Sequence, residues 1–127
     1  MIDQTFQVKN TTAIGRFGEK IAENYLINKG YRLLKRNYYI RGGELDLIME
    51  KDGIISFVEV KLRTGKSFGL GSEAFSSSKK QKLLRAIFIF LETLQKPHDW
   101  QLDLVNILYD KKLRVASVQH FSNILEL

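Results

Sequence analysis

Apolar and polar positions along the 127-residue chain change period several times, and each change marks an element. From Thr12, a capping residue, Ile14, Phe17, Ile21, Ala22, Tyr25 and Leu26 fall on one helical stripe that stops at Gly30, which predicts an amphipathic helix over residues 12–29. The stretch YRLLKRNYYI, residues 31–40, mixes β-forming residues with bases and runs into Arg41-Gly42-Gly43, a tight-turn sequence. It predicts a first, peripheral strand. Two stronger runs follow, ELDLIME and IISFVEVKLR, on either side of Lys51-Asp52-Gly53. Asp-Gly between apolar segments is a hairpin signal, so these two strands should be antiparallel.

Residues 64–78, TGKSFGLGSEAFSSS, predict a loop ending in a Ser able to cap a second helix. Leu83, Ala86, Ile87, Phe90, Leu91 and Leu94 give that helix its stripe, and Pro97 follows its end. WQLDLVNILY and LRVASVQHF predict two last strands around Asp110-Lys111-Lys112. A helix between the third and fourth strands makes those two parallel, joined by a right-handed crossover. With no internal repeat and no long linker, the expectation is an N-terminal tail over residues 1–11 and a single domain over 12–127. Its class is α/β, a mixed five-stranded sheet flanked by helices in the order α-β-β-β-α-β-β.

Composition narrows the picture. A chain of this length can bury one core without a disulfide or structural metal. Cysteine is absent, which removes disulfides, thiolate metal sites and Cys nucleophiles and fits a reducing compartment. No apolar run approaches the roughly 18 residues of a membrane span, and MIDQTFQVKN lacks a signal-peptide pattern, so a cytoplasmic protein with no membrane partner is expected. Twenty Lys and Arg against fourteen acids leave a net charge of +6, a balance that favours polyanions such as nucleic acid.

The chemistry is concentrated in the central hairpin. A two-residue Asp52-Gly53 turn pairs Lys51 with Ile54 and Ile48 with Phe57, so Asp46 should face Glu59, and Glu44 should face Lys61. Alternation then puts Glu44, Asp46, Glu59 and Lys61 on one face, and Leu45, Leu47, Met49, Val58 and Val60 on the other. Opposed carboxylates about 5 Å apart repel by about 3 kcal/mol at an effective dielectric near 20. A shared proton, the Lys61 ammonium or a divalent cation between the oxygens would each relieve this. A cation held by carboxylates and water would be hard, Mg²⁺ first and Mn²⁺ as a substitute. Charged residues on a strand more often face solvent, but here the acids lie in register within otherwise apolar runs. Glu19, flanking the stripe of the first helix, is a candidate fourth member, though alone it reads as a surface Glu.

Other motifs fail. Gly65-Lys66-Ser67 lacks the first Gly of a phosphate loop, Gly69–Ala74 only imitates a dinucleotide fingerprint, and His98 and His120 stand isolated, so no His-based site is expected.

Gly18-Glu19, the run Gly43-Glu44-Leu45-Asp46-Leu47-Ile48, Phe57-Val58-Glu59-Val60-Lys61 with Arg63, and Lys79 opening the second helix together resemble the YraN-like family of small bacterial proteins. That family is grouped with the restriction-endonuclease-like PD-(D/E)XK superfamily, which includes archaeal Holliday-junction resolvases. The resemblance covers about residues 12–109, and Leu45 stands where the superfamily's nominal Pro would be. It implies an endonuclease-like fold with Asp46 and Glu59 as metal ligands and catalytic acids. Lys61 would position water or phosphate, Glu19 would be a helical acid of the same site, and Glu44 would support it.

The function implied is a Mg²⁺-dependent nuclease hydrolysing phosphodiester bonds in DNA, with branched or structured DNA as substrate by analogy with the resolvases. A non-catalytic nucleic-acid-binding or adaptor module retaining the fold is the alternative, and a hydrolase of small phosphorylated molecules a third. Phosphate contacts are expected from Arg63, Lys66, Lys79, Lys80, Lys82 and Arg85, with Lys79 and Lys80 pointing inward. A homodimer would let so small a domain span two strands.

Overall fold

The computed structural model describes residues 4–7, 14–64 and 76–126. Its elements are β1 (Gln4–Gln7), α1 (Ile14–Asn28), β2 (Arg32–Ile40), β3 (Gly43–Lys51), β4 (Ile54–Thr64), α2 (Ser77–Glu92), β5 (Asp99–Asp110) and β6 (Val115–Phe121). A one-turn 3-10 segment, Ile124–Glu126, closes the described chain. Both helices and the five expected strands occur in the expected order. A sixth strand joins them: β1, from the stretch expected to be a tail, pairs antiparallel with β6. Its four residues, QTFQ, carry too little apolar pattern to announce a strand. The Thr12 cap of α1 lies outside the described residues, whereas the α2 cap is Ser76, whose Oγ accepts the Lys79 amide at 3.1 Å.

Sheet order is β1-β6-β5-β4-β3-β2. Strands β4 and β5 are parallel over eleven residue pairs, as the α2 crossover requires, and every other neighbouring pair is antiparallel. Asp52 and Gly53 form the β3–β4 turn with φ of 53° and 80°, the double left-handed conformation that Asp-Gly supplies most cheaply.

Each helix covers one sheet face. Ala22, Tyr25 and Leu26 of α1 pack with Leu47, Met49, Val58, Val105 and Ile107. Leu83, Ala86, Ile87 and Phe90 of α2 pack with Leu45, Ile48, Ile55, Phe57 and Leu102. A fully buried Leu, Ile, Val or Phe is worth roughly 1.5–3 kcal/mol, so these two layers carry most of the favourable folding energy.

The two clusters correct one expectation. Leu45 was expected to share a face with Leu47 and Met49, yet it packs under α2 while they pack under α1. Its neighbours on β2 switch in the same place. Arg36, opposite Leu47, reaches Glu23 of α1, and Tyr38, opposite Leu45, stacks edge-on against Phe90 of α2 with centroids 5.3 Å apart. Between them Asn37 has a φ of 49°, a left-handed residue inside a strand. Strict alternation therefore breaks at Asn37 and Asp46, and side chains beyond that point exchange faces.

His120 is not isolated either. Its Nε2 lies 2.9 Å from Oδ2 of Asp103, and the other Asp103 oxygen accepts Gln101 Nε2 and the Asn123 amide, each at 2.9 Å. Asp103 is fully buried, and the edges of Tyr25 and Tyr31 meet the imidazole. The group ties β5, β6 and the C-terminal segment together and lies apart from the acids of the central hairpin.

Helix α2 approaches the start of β3 closely: a Cβ on Gly43 would stand 2.6 Å from the Lys82 carbonyl oxygen. Gly43→Ala should push the helix off the strand and lower stability by about 1–3 kcal/mol in chemical denaturation, the usual cost of overpacking. Gly53→Ala, with no neighbour to meet, strains only its turn.

Candidate active site

The site forms where β3 and β4 separate. Their ladder runs from Lys51 and Ile54 to Leu47 and Val58, as the turn dictates, and goes no further. Asp46 and Glu59 are therefore not a backbone-paired couple. Instead the Asp46 carboxylate fills the opening and accepts the Val60 amide through Oδ2 at 2.8 Å. That bond satisfies a strand N–H which has lost its ladder partner, and it fixes the carboxylate.

The two acids still meet. Glu59, 5% exposed, lies within hydrogen-bonding reach of Asp46. Burial, then the Asp46 hydrogen bond and charge, push the Glu59 carboxyl up to about 8, while Lys79 and Lys61 pull the other way. Of the three remedies for opposed acids, a shared proton is therefore the one this side-chain arrangement favours before any cation arrives. Among the described residues the cation nearest Glu59 is Lys79 in the first turn of α2, its Nζ 3.6 Å from Oε2. Lys79 was expected as a phosphate contact and points inward as predicted, onto the acid itself. Lys80 was expected to point inward too and is exposed, since one residue further carries it about 100° round the helix.

Glu19 joins from the other side. At Gly18, α1 packs against Leu62 of β4, the Leu62 Cβ lying 3.5 Å from where a Gly18 Cβ would be. Burial raises the Glu19 carboxyl, helped by the charges of Asp46 and Glu44 and a hydrogen bond to Asp46. Glu19, Glu44 and Asp46 line one open depression of about 280 Å³. Glu44 lies with Glu19 in that depression and also lines the groove beside Lys79 and Lys82, and since the β3–β4 ladder has already ended it is not the expected cross-strand partner of Lys61. Lys61 lies between Val60 and Leu62, which pack with the α1 cluster, so alternation turns it to the α2 side with Glu59 and Arg63.

One supporting pair was not anticipated. Glu23, one turn beyond Glu19 and 3% exposed, takes Arg36 Nε and Nη2 at 2.6 and 3.0 Å. The Arg36 guanidinium holds the Glu23 carboxyl below its usual range. The i, i+4 spacing of Glu19 and Glu23 was a signal that could have linked them.

Of the remaining expected contacts, Lys82 lines an open groove of about 440 Å³ beside the β2–β3 turn, and the Arg85 guanidinium approaches Gly42 of that turn. Lys66 lies outside the described residues.

Among the described residues no set of three or more His, Asp or Glu side chains is gathered as a ready metal cage. The Asp46–Glu59 pair nevertheless fits a Mg²⁺ ion, which is commonly bound through one or two carboxylates while keeping waters and substrate phosphates as its other ligands.

A mixed α/β sheet that opens around a pair of acids, buried Glu59 and half-buried Asp46, with a lysine from a strand and another from a helix beside them, defines the class of domain. The comparisons with known proteins go one step further. A profile described as "Uncharacterised protein family UPF0102" matches residues 18–107, most of the chain. A UPF0102 protein of Pelotomaculum thermopropionicum is 38% identical over 111 residues, 87% of this chain and 92% of its own length. Another, from Caldanaerobacter subterraneus, is 38% identical over 116 residues, 90% of this chain and 95% of its own. The chain belongs to the UPF0102 family, the YraN-like family that its motifs resemble. No described helix is long and apolar enough to cross a membrane.

The raised Glu59 carboxyl fixes a sign. Between the ordinary value of 4.5 and about 8, the folded chain holds a proton that the unfolded chain has released. Stability of the metal-free protein should therefore fall as pH rises through that window, by an amount on the order of a few kcal/mol. Glu23 and Glu50, held below 4.5, act in the opposite sense only at more acidic pH. Urea titrations between pH 5 and 9 should show the decline in wild type and a flatter profile in Glu59→Gln. Equal slopes would remove the assignment.

Proposed function

We propose that the chain is a Mg²⁺-dependent nuclease that hydrolyses phosphodiester bonds in DNA. The observation that carries the reading is the meeting of Asp46 and Glu59 where β3 and β4 part, with Lys79 at 3.6 Å from Glu59. The α-β-β-β-α-β-β order, with the acids on the second and third strands of the hairpin run, is the arrangement the endonuclease-like resemblance leads one to expect. The net charge of +6 suits a polyanionic substrate.

Asp46 and Glu59 would hold the ion, and Glu19 would contribute from the α1 side. When bound, Mg²⁺ supplies charge stabilisation at the phosphate and lowers the pKa of a bound water. The protein's own residues do the rest. The Val60 amide orients Asp46, whose carboxylate also meets Glu59 and Glu19. To hold the ion, Glu59 would release its proton to solvent. Lys61, freed from Glu44, is placed to hold a phosphate oxygen or the attacking water as charge develops. Lys79 keeps Glu59 from repelling the incoming phosphate, and Lys82 and Arg85 offer contacts to the backbone beyond it. Branched or otherwise structured DNA is the substrate class, and a homodimer would bring two such sites to two strands.

Purified wild type should nick or cut linear, flapped or four-way DNA with Mg²⁺ or Mn²⁺ and stop on addition of EDTA. Asp46→Asn, Glu59→Gln and Lys61→Ala should each lower the rate by about 10²-fold or more while the proteins remain folded. Cleavage that survives chelation, or equal rates in all four proteins, would refute the mechanism. DNA binding with no cleavage of any substrate would identify the adaptor function instead.

A further inference from the structure

Strand β2 carries two adjacent tyrosines with opposite fates. Tyr38 turns into the α2 cluster, edge-on to Phe90, with the Lys35 ammonium 5.6 Å from its ring centre. Tyr39 turns outward and is 67% exposed, and among the described residues it has no ring or cation partner. An isolated exposed aromatic is ordinary on a protein surface. The position of this one is not ordinary. Tyr39 pairs with Glu44 across β2 and β3, two residues from Asp46. It is a wall common to both depressions around the site: the one holding Glu19, Glu44 and Asp46, and the groove of about 440 Å³ where Lys79 and Lys82 project.

We propose that Tyr39 is a base-stacking residue that receives an unpaired nucleotide beside the scissile phosphate, and so selects DNA with a single-stranded segment. The inference rests on the phosphodiester-hydrolysis reading and names the substrate feature which that site recognises. A nucleic-acid strand entering the site presents three chemistries: a phosphate for the acid-bound cation, further phosphates for cationic side chains, and bases with apolar faces. Asp46 with Glu59 serves the first, and Lys82 and Arg85 the second. Tyr39 is the side chain beside them that offers a free aromatic face, and the groove is of a size that admits a small-molecule-sized group. Inside a duplex both faces of every base are already stacked, so Tyr39 gains nothing from blunt double-stranded DNA. At a flap or a single-stranded overhang an unpaired base is free, and its stacking on an aromatic side chain strengthens binding by about 10-fold. The same geometry places that base within two residues of the acid, so recognition and cleavage would share one strand.

The test uses the whole chain with Ca²⁺ in place of Mg²⁺, to permit binding without turnover. The probes are a single-stranded oligodeoxynucleotide carrying one 2-aminopurine and a blunt duplex of the same length. Wild type should bind the single strand and quench its fluorescence. Tyr39→Ala should lose the quenching and bind the single strand about 10-fold more weakly, with duplex affinity changed less than about twofold. Tyr39→Phe, which keeps the ring, should behave as wild type. The proposal is overturned if wild type does not bind or quench the single strand, if Tyr39→Ala quenches it as well as wild type does, or if single-strand and duplex affinities fall together. A parallel arm with Mg²⁺ separates the two readings. Tyr39-dependent stacking with no cleavage removes the hydrolase and keeps the base site, whereas cleavage indifferent to Tyr39 keeps the hydrolase and removes the base site.

Discussion

A single hydrogen bond, from the Val60 amide to the Asp46 carboxylate, holds the site together. Where two antiparallel strands part, each loses ladder partners, and a buried strand N–H left without one costs about 1–3 kcal/mol. Asp46 supplies the missing acceptor. It thereby lets the sheet open at a defined residue and is itself fixed within the opening. The acids gather around that point because β3 brings Asp46 to it, β4 brings Glu59, and α1 brings Glu19. Had the ladder continued past Leu47 and Val58, Asp46 would sit on one face of a closed sheet and α1 could not reach it.

The opening also divides labour between the two faces. On the α2 side Glu59 is buried, its carboxyl raised, with Lys79 its closest cation among the described residues. On the α1 side Glu19 and Glu44 are more exposed and share one depression. Asp46 touches both, so a change in the protonation or cation loading of one face is felt on the other through the same carboxylate. The exchange of faces at Asn37 and Asp46 makes this possible. A strictly alternating β3 would have put all four polar groups on one side, where three carboxylates would face a single lysine.

Much of this was legible in the sequence, and the boundary of legibility is physical. The Asp52-Gly53 turn could be read because two successive left-handed residues demand that pair of side chains, and once the turn is fixed the register to Leu47 follows. Both helices could be read from their stripes, and with them the inward phase of Lys79. What could not be read depends on contacts between distant elements. Asn37 adopts φ 49°, a conformation that Asn tolerates better than most residues but that the β-forming pattern around it does not place. The Glu23–Arg36 clamp and the Asp103–His120 group join residues 13 and 17 apart on different elements, invisible to any local period. β1 is four residues of mixed polarity whose strand state comes from the free edge of β6.

The Glu23–Arg36 clamp matters to the chemistry although neither residue touches the acid pair. Glu23 is nearly inaccessible, and a buried carboxylate is tolerable only when paired. Arg36 provides the pair from β2, at the residue before the switch, so the same short stretch of β2 that redirects the strand also anchors α1. Glu19 lies one helical turn from that anchor, about 6 Å along the axis. Its distance from Asp46 is therefore set by a bidentate ion pair and by the contact of Gly18 with Leu62 rather than by the flexibility of the glutamate side chain. Loss of Arg36 would leave Glu23 only the longer contact to Lys20, at 3.7 Å, and loosen the helix at its Glu19 end. The site's helical acid depends in this way on a strand residue outside the site, which ties the placement of Glu19 to the same break in alternation that opens the sheet for Asp46.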